Sequence, residues 1–126
     1  MLIYDKTQRG ETTEAWQYDL VENRWLTSSP TLSDRRREGS AACFLGSTVY
    51  VFGGSDDCQT IEYLDLNSQE ARWDMIATHA MENCRYIVCP ISRTEILVVR
   101  GTWDSGARRE KFCEVLIFDT AGATTV

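Results

Sequence analysis

One spacing recurs along this chain, and it limits the folds that the chain can adopt. Trp25 and Trp73 are 48 residues apart, and Arg37 and Arg85 are separated by the same number. The pair Gly53-Gly54 ends an apolar stretch, and dipeptides 48 residues before it and 47 after it end similar stretches. Several independent positions that keep one period indicate internal repetition. The sequence therefore predicts repeated copies of a single supersecondary unit.

The copy from Ser47 to Trp73 shows what one unit contains. Residues 49–52 are β-branched or aromatic and stop at two glycines, and residues 61–66 form a second apolar run before a turn at Asn67-Ser68. No segment of ten or more residues has apolar side chains at helical spacing. A period near 48 with four short strands is typical of a β-propeller blade, so the predicted fold class is all-β.

The same residues resemble the kelch repeat, in which an apolar strand ends in Gly-Gly and is followed by a Tyr/Leu-Asp-Leu strand and a tryptophan. Here the elements are 50–54, Leu64-Asp65-Leu66 and Trp73, and an earlier copy supplies Tyr18-Asp19-Leu20 and Trp25. The resemblance implies a partial kelch-type β-propeller of four-stranded antiparallel blades in an open, incomplete ring. The other two copies replace the glycine pair by Asp5-Lys6 and Arg100-Gly101, so their blades have diverged or their turns are built differently.

The repeat predicts how the chain divides into blades. We expect a single kelch-repeat region over 1–126, with a partial blade I at 1–34, a complete blade II at 38–80 and a partial blade III at 84–122. Propellers have about four to eight blades. The expectation from sequence is therefore a piece of a longer kelch protein, a truncated product, or a chain that self-associates to close a ring.

Six of the repeated residues are predicted to be structural rather than functional. Glycine suits a tight strand exit where another segment approaches closely, because it has no Cβ and tolerates positive φ. The kelch resemblance implies that each tryptophan opens an outer strand and packs between blades, where it would bury roughly 150–250 Å². The predicted structural motif consists of Gly53, Gly54, Trp25, Trp73, Asp19 and Asp65.

Residue types capable of chemistry are few, and we predict no catalytic, cofactor-binding or metal-binding residue. His79 is the only histidine, so any Ser-His-Asp or Cys-His site would have to include it. Cys84 and Cys89 lack the spacing of a zinc pair, and Asp56-Asp57 suit a solvated turn better than a cation site. The prediction is a non-enzyme. The alternatives are an enzyme propeller of galactose-oxidase-like or sialic-acid-isomerase-like type, or a truncated nonfunctional fragment.

Basic and aromatic residues concentrate in the loops that a propeller gathers on one face. Arginine and tryptophan are common at binding hot spots. The resemblance implies a scaffold or adaptor that binds a protein through this face, either an acidic peptide or a cytoskeletal or ubiquitin-ligase component. The competing interpretation is solvated loop charges, or arginines at 37 and 85 that contact backbone carbonyls. The predicted partner-binding residues are Arg35, Arg36, Arg37, Arg85, Trp103, Arg108 and Arg109.

Composition restricts the partners and the compartment. The net charge is −6 and the isoelectric point is about 4.7, so we expect no general attraction to nucleic acid or to anionic membranes. No run of 18 apolar residues is present, and the first residues do not resemble a signal peptide. Five cysteines, an odd number, and no glycosylation sequon favour a cytoplasmic location.

Overall fold

The structure is a computed structural model, and it describes residues 2–3, 16–26, 30, 32, 40–53, 60–70, 72–77, 84–102 and 113–122. Apart from one 3-10 turn at Thr120–Gly122, the regular structure in these ranges is all β. The strands are β1 (Leu2–Ile3), β2 (Trp16–Asp19), β3 (Arg24–Trp25), β4 (Ala41–Leu45), β5 (Thr48–Phe52), β6 (Thr60–Asp65), β7 (Asp74–Ala77), β8 (Cys84–Pro90), β9 (Glu95–Thr102) and β10 (Cys113–Asp119).

These strands form three antiparallel sheets, each in simple sequence order. Sheet I contains β1–β2–β3, sheet II contains β4–β5–β6–β7, and sheet III contains β8–β9–β10. None of the three sheets closes on itself. Up-and-down sheets that follow one another along the chain confirm the predicted all-β, open and partial propeller architecture.

Both faces of sheet II carry buried side chains, and these are apolar except for Glu62, which shares a face with Val51. Residues that pair across strands share a face, and successive residues alternate between faces. One face, which we call the upstream face, carries Val49, Val51 and Leu64. Its cluster is completed by Leu32 and by Trp73, both buried. The indole Nε1 of Trp73 donates a hydrogen bond of 2.9 Å to the carbonyl oxygen of Pro30. The segment that precedes sheet II therefore covers this face.

The opposite face of sheet II, the downstream face, packs against sheet III. Tyr50, Phe52, Ile61 and Ile76 from sheet II join Ile96 and Val98 from sheet III in one buried cluster. Phe118 lies edge-on to Phe52, with ring centroids 5.7 Å apart and an interplanar angle of 89°. Edge-to-face geometry of this kind adds to the area burial of the rings. The main core of the described residues thus lies between two successive sheets.

Three aspartates at matching positions of the repeat close the turns that follow β2, β6 and β10. Asp19 accepts backbone N–H hydrogen bonds from residues 21 and 22, Asp65 from Asn67, and Asp119 from Ala121, all at 2.9–3.0 Å. The backbone hydrogen bond from residue 22 is the main reason that the pKa of Asp19 is lowered. The repeated aspartate thus supplies an acceptor that each chain reversal needs.

The two repeated tryptophans differ in burial, and the packing role predicted for Trp25 stays a prediction. Trp73 is 6% exposed, whereas Trp25 is 47% exposed and makes an edge contact with Tyr18 at 5.1 Å. Trp73 is buried because Leu32 joins its cluster and Pro30 accepts its indole hydrogen bond. Trp25 occupies the same position in its repeat, but among the described residues its ring is partly exposed.

Candidate functional site

The strand directions define one end of sheets II and III from which the predicted binding loops leave. Strands β5 and β9 finish at this end, and β4, β6, β8 and β10 begin there. We call it the loop end. Among described residues it is marked by Gly53, Arg85, Gly101 and Cys113.

Gly53 and Tyr86 form a close contact between the loop ends of sheets II and III. Gly53 has φ +65°, the left-handed region that favours glycine. A Cβ at this position would collide with ring atoms Cδ2 and Cε2 of Tyr86, the third residue of β8. The sequence predicted a close approach at this glycine, and the approaching group proves to be an aromatic ring from the next sheet. Tyr86 therefore brings the start of β8 close to the exit of β5, whereas the side chain of the preceding residue, Arg85, lies on the other face of sheet III.

Of the predicted partner-binding residues, only Arg85 falls within the described residues, where its side chain is exposed. Its pairing partners in sheet III are Gly101 and, one strand further, Cys113. The other predicted binding residues, and Gly54 of the structural motif, lie outside the described residues: Arg35, Arg36, Arg37, Trp103, Arg108 and Arg109.

The third repeat builds the loop end differently from the second. Where β5 stops at Phe52 and turns at Gly53, β9 continues through Arg100 and Gly101 to Thr102. The Nε and Nη2 atoms of Arg100 both reach Oε2 of Glu114, at 2.8 and 2.7 Å. Burial opposes the charge of Arg100, but hydrogen bonds to Glu114 and Tyr86 outweigh this effect and raise its pKa. A charged pair therefore replaces the glycine turn.

Sheet III has a second surface that was not predicted as a site. Its odd-numbered side chains form a face opposite to the one that packs on sheet II, and we call it the open face. Ile87 is 70% exposed, Val115 62% and Ile117 59%. The central positions of this face are Ile87, Cys89, Leu97, Val99, Val115 and Ile117. Faces of this kind occur where a protein or a neighbouring repeat packs.

A signal for the open face exists in the sequence. Strands that are apolar on only one side alternate with polar residues, but β8, β9 and β10 are apolar at successive positions, as in 96–99 and 115–118. Such runs are typical of strands covered on both faces. These runs predict strands, but they do not predict which face of a strand stays exposed.

The described residues can be compared with what a metal site and a membrane-spanning helix require. Within the described ranges, no group of three or more His, Cys, Asp or Glu side chains is arranged to hold a metal ion. No helix in the described parts of the chain is long and apolar enough to span a bilayer. Cys43, Cys89 and Cys113 are free thiols. Burial, together with the charge of Cys89, raises the pKa of Cys43 from 9.0 to about 11.

Three successive antiparallel sheets share the turn closed by aspartate, and sheet II adds a left-handed glycine and a buried tryptophan, as in a kelch-type blade. Sequence comparison confirms this resemblance. The chain is 31% identical over 75 residues to bovine Kelch domain-containing protein 3 and 29% identical over 75 residues to the human protein of that name. It is 33% identical over 69 residues to human Kelch-like protein 30.

Each of these matches involves 55% of this chain, but only 11–19% of the curated relative. The chain therefore spans a small part of the length of the proteins that it resembles. No protein-family model matches it. The fold and these similarities show that the chain resembles kelch-repeat proteins over about half of its length.

Proposed function

We propose that this chain is a protein-interaction module of scaffold or adaptor type that binds a protein partner through its loop end. The observation that carries the proposal is the contact between Gly53 and Tyr86. This contact brings the start of β8 beside the exit of β5, so loops of two successive repeats leave from one place. A surface assembled from several loops on a rigid sheet scaffold suits partner binding.

The arginine side chains of these loops, rather than the balanced total charge of the segments, suggest the kind of partner. The protein carries a net charge of −6. The seven residues predicted to bind a partner at the loop end, among them Arg85 and Trp103, are nevertheless all basic or aromatic. An acidic peptide or acidic protein surface complements such a set, because arginine pairs with carboxylates through two parallel hydrogen bonds. Cytoskeletal or ubiquitin-ligase components are the partner classes that the kelch resemblance suggests.

The proposal includes a non-enzymatic role, a cytoplasmic setting and the blade boundaries 1–34, 38–80 and 84–122. Free thiols at Cys43, Cys89 and Cys113 suit a reducing compartment. The curated relatives are kelch-repeat proteins by name, which supports an interaction role. The boundaries agree with the sequence spacing of the repeated tryptophans.

Charge removal at the two opposite ends of the sheets tests the proposal. A fluorescein-labelled oligoglutamate peptide serves as the binding probe, and fluorescence anisotropy measures its Kd. We expect the combined variant Arg35→Ala, Arg36→Ala and Arg108→Ala to weaken binding at least tenfold, and Arg85→Ala to weaken it severalfold.

The control variants are Arg93→Ala and Arg72→Ala. Each removes one positive charge, as Arg85→Ala does, but from an exposed residue at the other end of the sheets. Arg93 lies in the turn between β8 and β9, and Arg72 directly precedes Trp73. Equal loss of affinity in the control and loop-end variants would show a general charge effect and would refute the loop end as the binding site. Unchanged affinity in all variants would refute it as well.

A further inference from the structure

The sheets have a second end, opposite to the loop end, at which the chain reverses in short turns. We call it the turn end, and it comprises the described residues of 19–24, 65–74, 91–95 and 119–122. In sheets II and III, β6, β8 and β10 finish at this end and β7 and β9 begin there. Residues 19–24 of sheet I hold the same repeat position as the turn that follows β6.

Four exposed apolar side chains lie in these turns. Leu20 is 71% exposed and Val21 92%, and the two are adjacent in the turn between β2 and β3. Leu66 directly follows β6 and Ile91 directly follows β8, and each is about half exposed. Tight turns favour Gly, Pro, Asn, Asp and Ser, so two adjacent apolar residues are unusual there. These side chains gain little from burial within the chain.

The exposure of these residues comes from the turns and does not depend on an uncovered sheet face. Sheets II and III pack on each other through their faces, yet Leu66 and Ile91 stay about half exposed. Successive repeats contact one another through the same faces. The turn end therefore differs from the open face, which a neighbouring repeat can cover.

Hydrogen bonds hold the backbone of these turns in place. The N–H of Val21 donates to Oδ1 of Asp19 at 2.9 Å, and the N–H of Leu66 donates to the carbonyl oxygen of Ser47 at 3.0 Å. The first and last residues of 91–95 are joined by a 3.0 Å backbone hydrogen bond. A partner that binds here does not have to order the chain first, which lowers the entropic cost of binding.

The charges around the apolar residues determine which partner fits. Carboxylates outnumber guanidinium groups, and one of the arginines, Arg72, already pairs with Asp74 at 3.4 Å. A segment that carries lysine or arginine complements such a surface. The charged residues of the turn end are Asp19, Glu22, Asp65, Glu70, Asp74, Glu95 and Asp119, together with Arg24, Arg72 and Arg93.

We propose that the turn end is a second interaction surface, which binds a basic amphipathic segment of a partner protein. The apolar side chains of that segment contact Leu20 and Val21, and its basic side chains lie among the surrounding carboxylates. The turn end uses none of the arginine loops, so this inference does not rest on binding at the loop end. A module with both surfaces connects two partners of opposite charge.

Peptide binding to variants of the turn end tests the proposal. The probe is a fluorescein-labelled peptide that alternates pairs of leucine and lysine, and fluorescence anisotropy measures its Kd. We expect the combined variant Leu20→Ser and Val21→Ser to weaken binding about tenfold or more, because the apolar contact is lost. The combined variant Glu22→Gln and Glu70→Gln should weaken it severalfold, and this loss should shrink at high salt.

Two combined variants serve as matched controls. Ile87→Ser with Val115→Ser removes apolar side chains that are 70% and 62% exposed, but from the open face of sheet III. Asp56→Asn with Asp57→Asn removes two carboxylates that lie between β5 and β6 in the sequence. Both controls should bind the probe as the unmodified chain does. Far-UV circular dichroism checks that every variant is folded.

Unchanged affinity in the Leu20→Ser and Val21→Ser variant would refute the turn end as the binding site. An equal loss in the Ile87→Ser and Val115→Ser control would overturn the proposal too, because it would show adhesion to any exposed apolar surface. So would a probe that remains unbound at about 100 μM protein, which corresponds to a binding free energy weaker than about −5.5 kcal/mol.

Reciprocal measurements keep this proposal separate from the proposed function. The combined variant Arg35→Ala, Arg36→Ala and Arg108→Ala should bind the leucine-lysine probe normally. The variant Leu20→Ser and Val21→Ser should bind the oligoglutamate peptide as the unmodified chain does. A failed oligoglutamate test would therefore leave the turn end unaffected, whereas loss of leucine-lysine binding in the arginine variant would contradict it.

Discussion

At the scale of the residue, Gly53 and Gly46 have nearly the same backbone and very different surroundings. Their φ values are +65° and +62°. Nothing lies within 4 Å of a Cβ placed on Gly46, whereas one on Gly53 would collide with the ring of Tyr86. Alanine at Gly46 would destabilise the fold only through the left-handed backbone. Alanine at Gly53 would also disturb the contact with Tyr86, so comparing the two positions separates these two losses in the free energy of unfolding.

Alanine substitution measures the two costs. Gly46→Ala should lower the free energy of unfolding by about 1–2 kcal/mol, because only the left-handed conformation is penalised. Gly53→Ala should cost at least about 1–3 kcal/mol more, because sheet III must also move away. Urea unfolding monitored by circular dichroism gives both values. In a Tyr86→Ala background the difference between the two glycines should largely disappear, and a difference that persists would contradict the close contact.

The repeated tryptophans provide a second comparison between residues. Trp73→Phe removes a buried indole and leaves the carbonyl of Pro30 without its donor, so we expect a loss of about 2–3 kcal/mol. Trp25→Phe should cost under about 1 kcal/mol, since its ring is 47% exposed. Chemical denaturation checks both values. Equal losses would show that Trp25 is buried in solution.

At the scale of the element, the turns after β2, β6 and β10 are each organised by one carboxylate. Asp65 accepts hydrogen bonds from the backbone N–H of Asn67 at 2.9 Å and from Oγ of Ser47 at 3.4 Å. Asp65 therefore contacts two turns, one between β6 and β7 and the other between β4 and β5. A single aspartate ties together two reversals at the end of the sheet opposite to the loop end.

Replacing this aspartate should loosen sheet II. We expect Asp65→Ala to lower the free energy of unfolding by about 1–2 kcal/mol, because two donors lose a charged acceptor. The control is Asp74→Ala, whose carboxylate makes only an exposed 3.4 Å ion pair with Arg72 and should cost under about 1 kcal/mol. Denaturant titration compares the two variants. If Asp74→Ala proves the more costly, the turn role of Asp65 is wrong.

The positions of the strands were largely predictable from the sequence, but the burial of individual side chains and the contacts between distant residues were not. Strand residues such as 49–52 and 96–99 are β-branched and aromatic, so their local preference and their place in the sheet agree. The exposure of Trp25 could not be predicted, because burial depends on which segment covers the ring, and Trp73 shares the same local sequence pattern. The extension of β9 past Arg100 depends on Glu114, which is distant in sequence.

The candidate site was predictable only as a set of loops. Strand polarity alone places the exits of β5 and β9 at one end of their sheets, and the structure agrees. Tyr86 carries no sequence signal for its contact with Gly53, because that contact joins two different sheets. The loop positions of the arginines at 35–37, 108 and 109 remain predictions.

At the scale of the whole molecule, stability depends on a core between sheets that contains ionisable groups. Cys43 packs against the cluster shared by sheets II and III, and Tyr50 is part of that cluster. Burial raises the pKa of Cys43 to about 11 and also raises the pKa of Tyr50. An ionised thiolate is unfavourable there because the surroundings are apolar.

Alkaline pH should therefore weaken the fold. Below pH 9.0, the ordinary value for the thiol, Cys43 is protonated in both states and the stability is fully present. As the pH rises from 9.0 to about 11, the unfolded chain loses this proton first, so the free energy of unfolding falls. Urea midpoints between pH 7 and 11 measure the decline. Cys43→Ala should make the decline shallower, and an unchanged slope would assign it to other groups.

The position of sheet II between two covering segments has a consequence for synthesis on the ribosome. Pro30 and Leu32, which cover its upstream face, are translated before any strand of that sheet. The partner of its downstream face, sheet III, is translated only afterwards. During that interval the nascent chain presents Tyr50 and Phe52 without their neighbour, and exposed apolar surface of this kind is prone to aggregation. Slow translation of residues 84–118 would lengthen this exposure without changing the final fold.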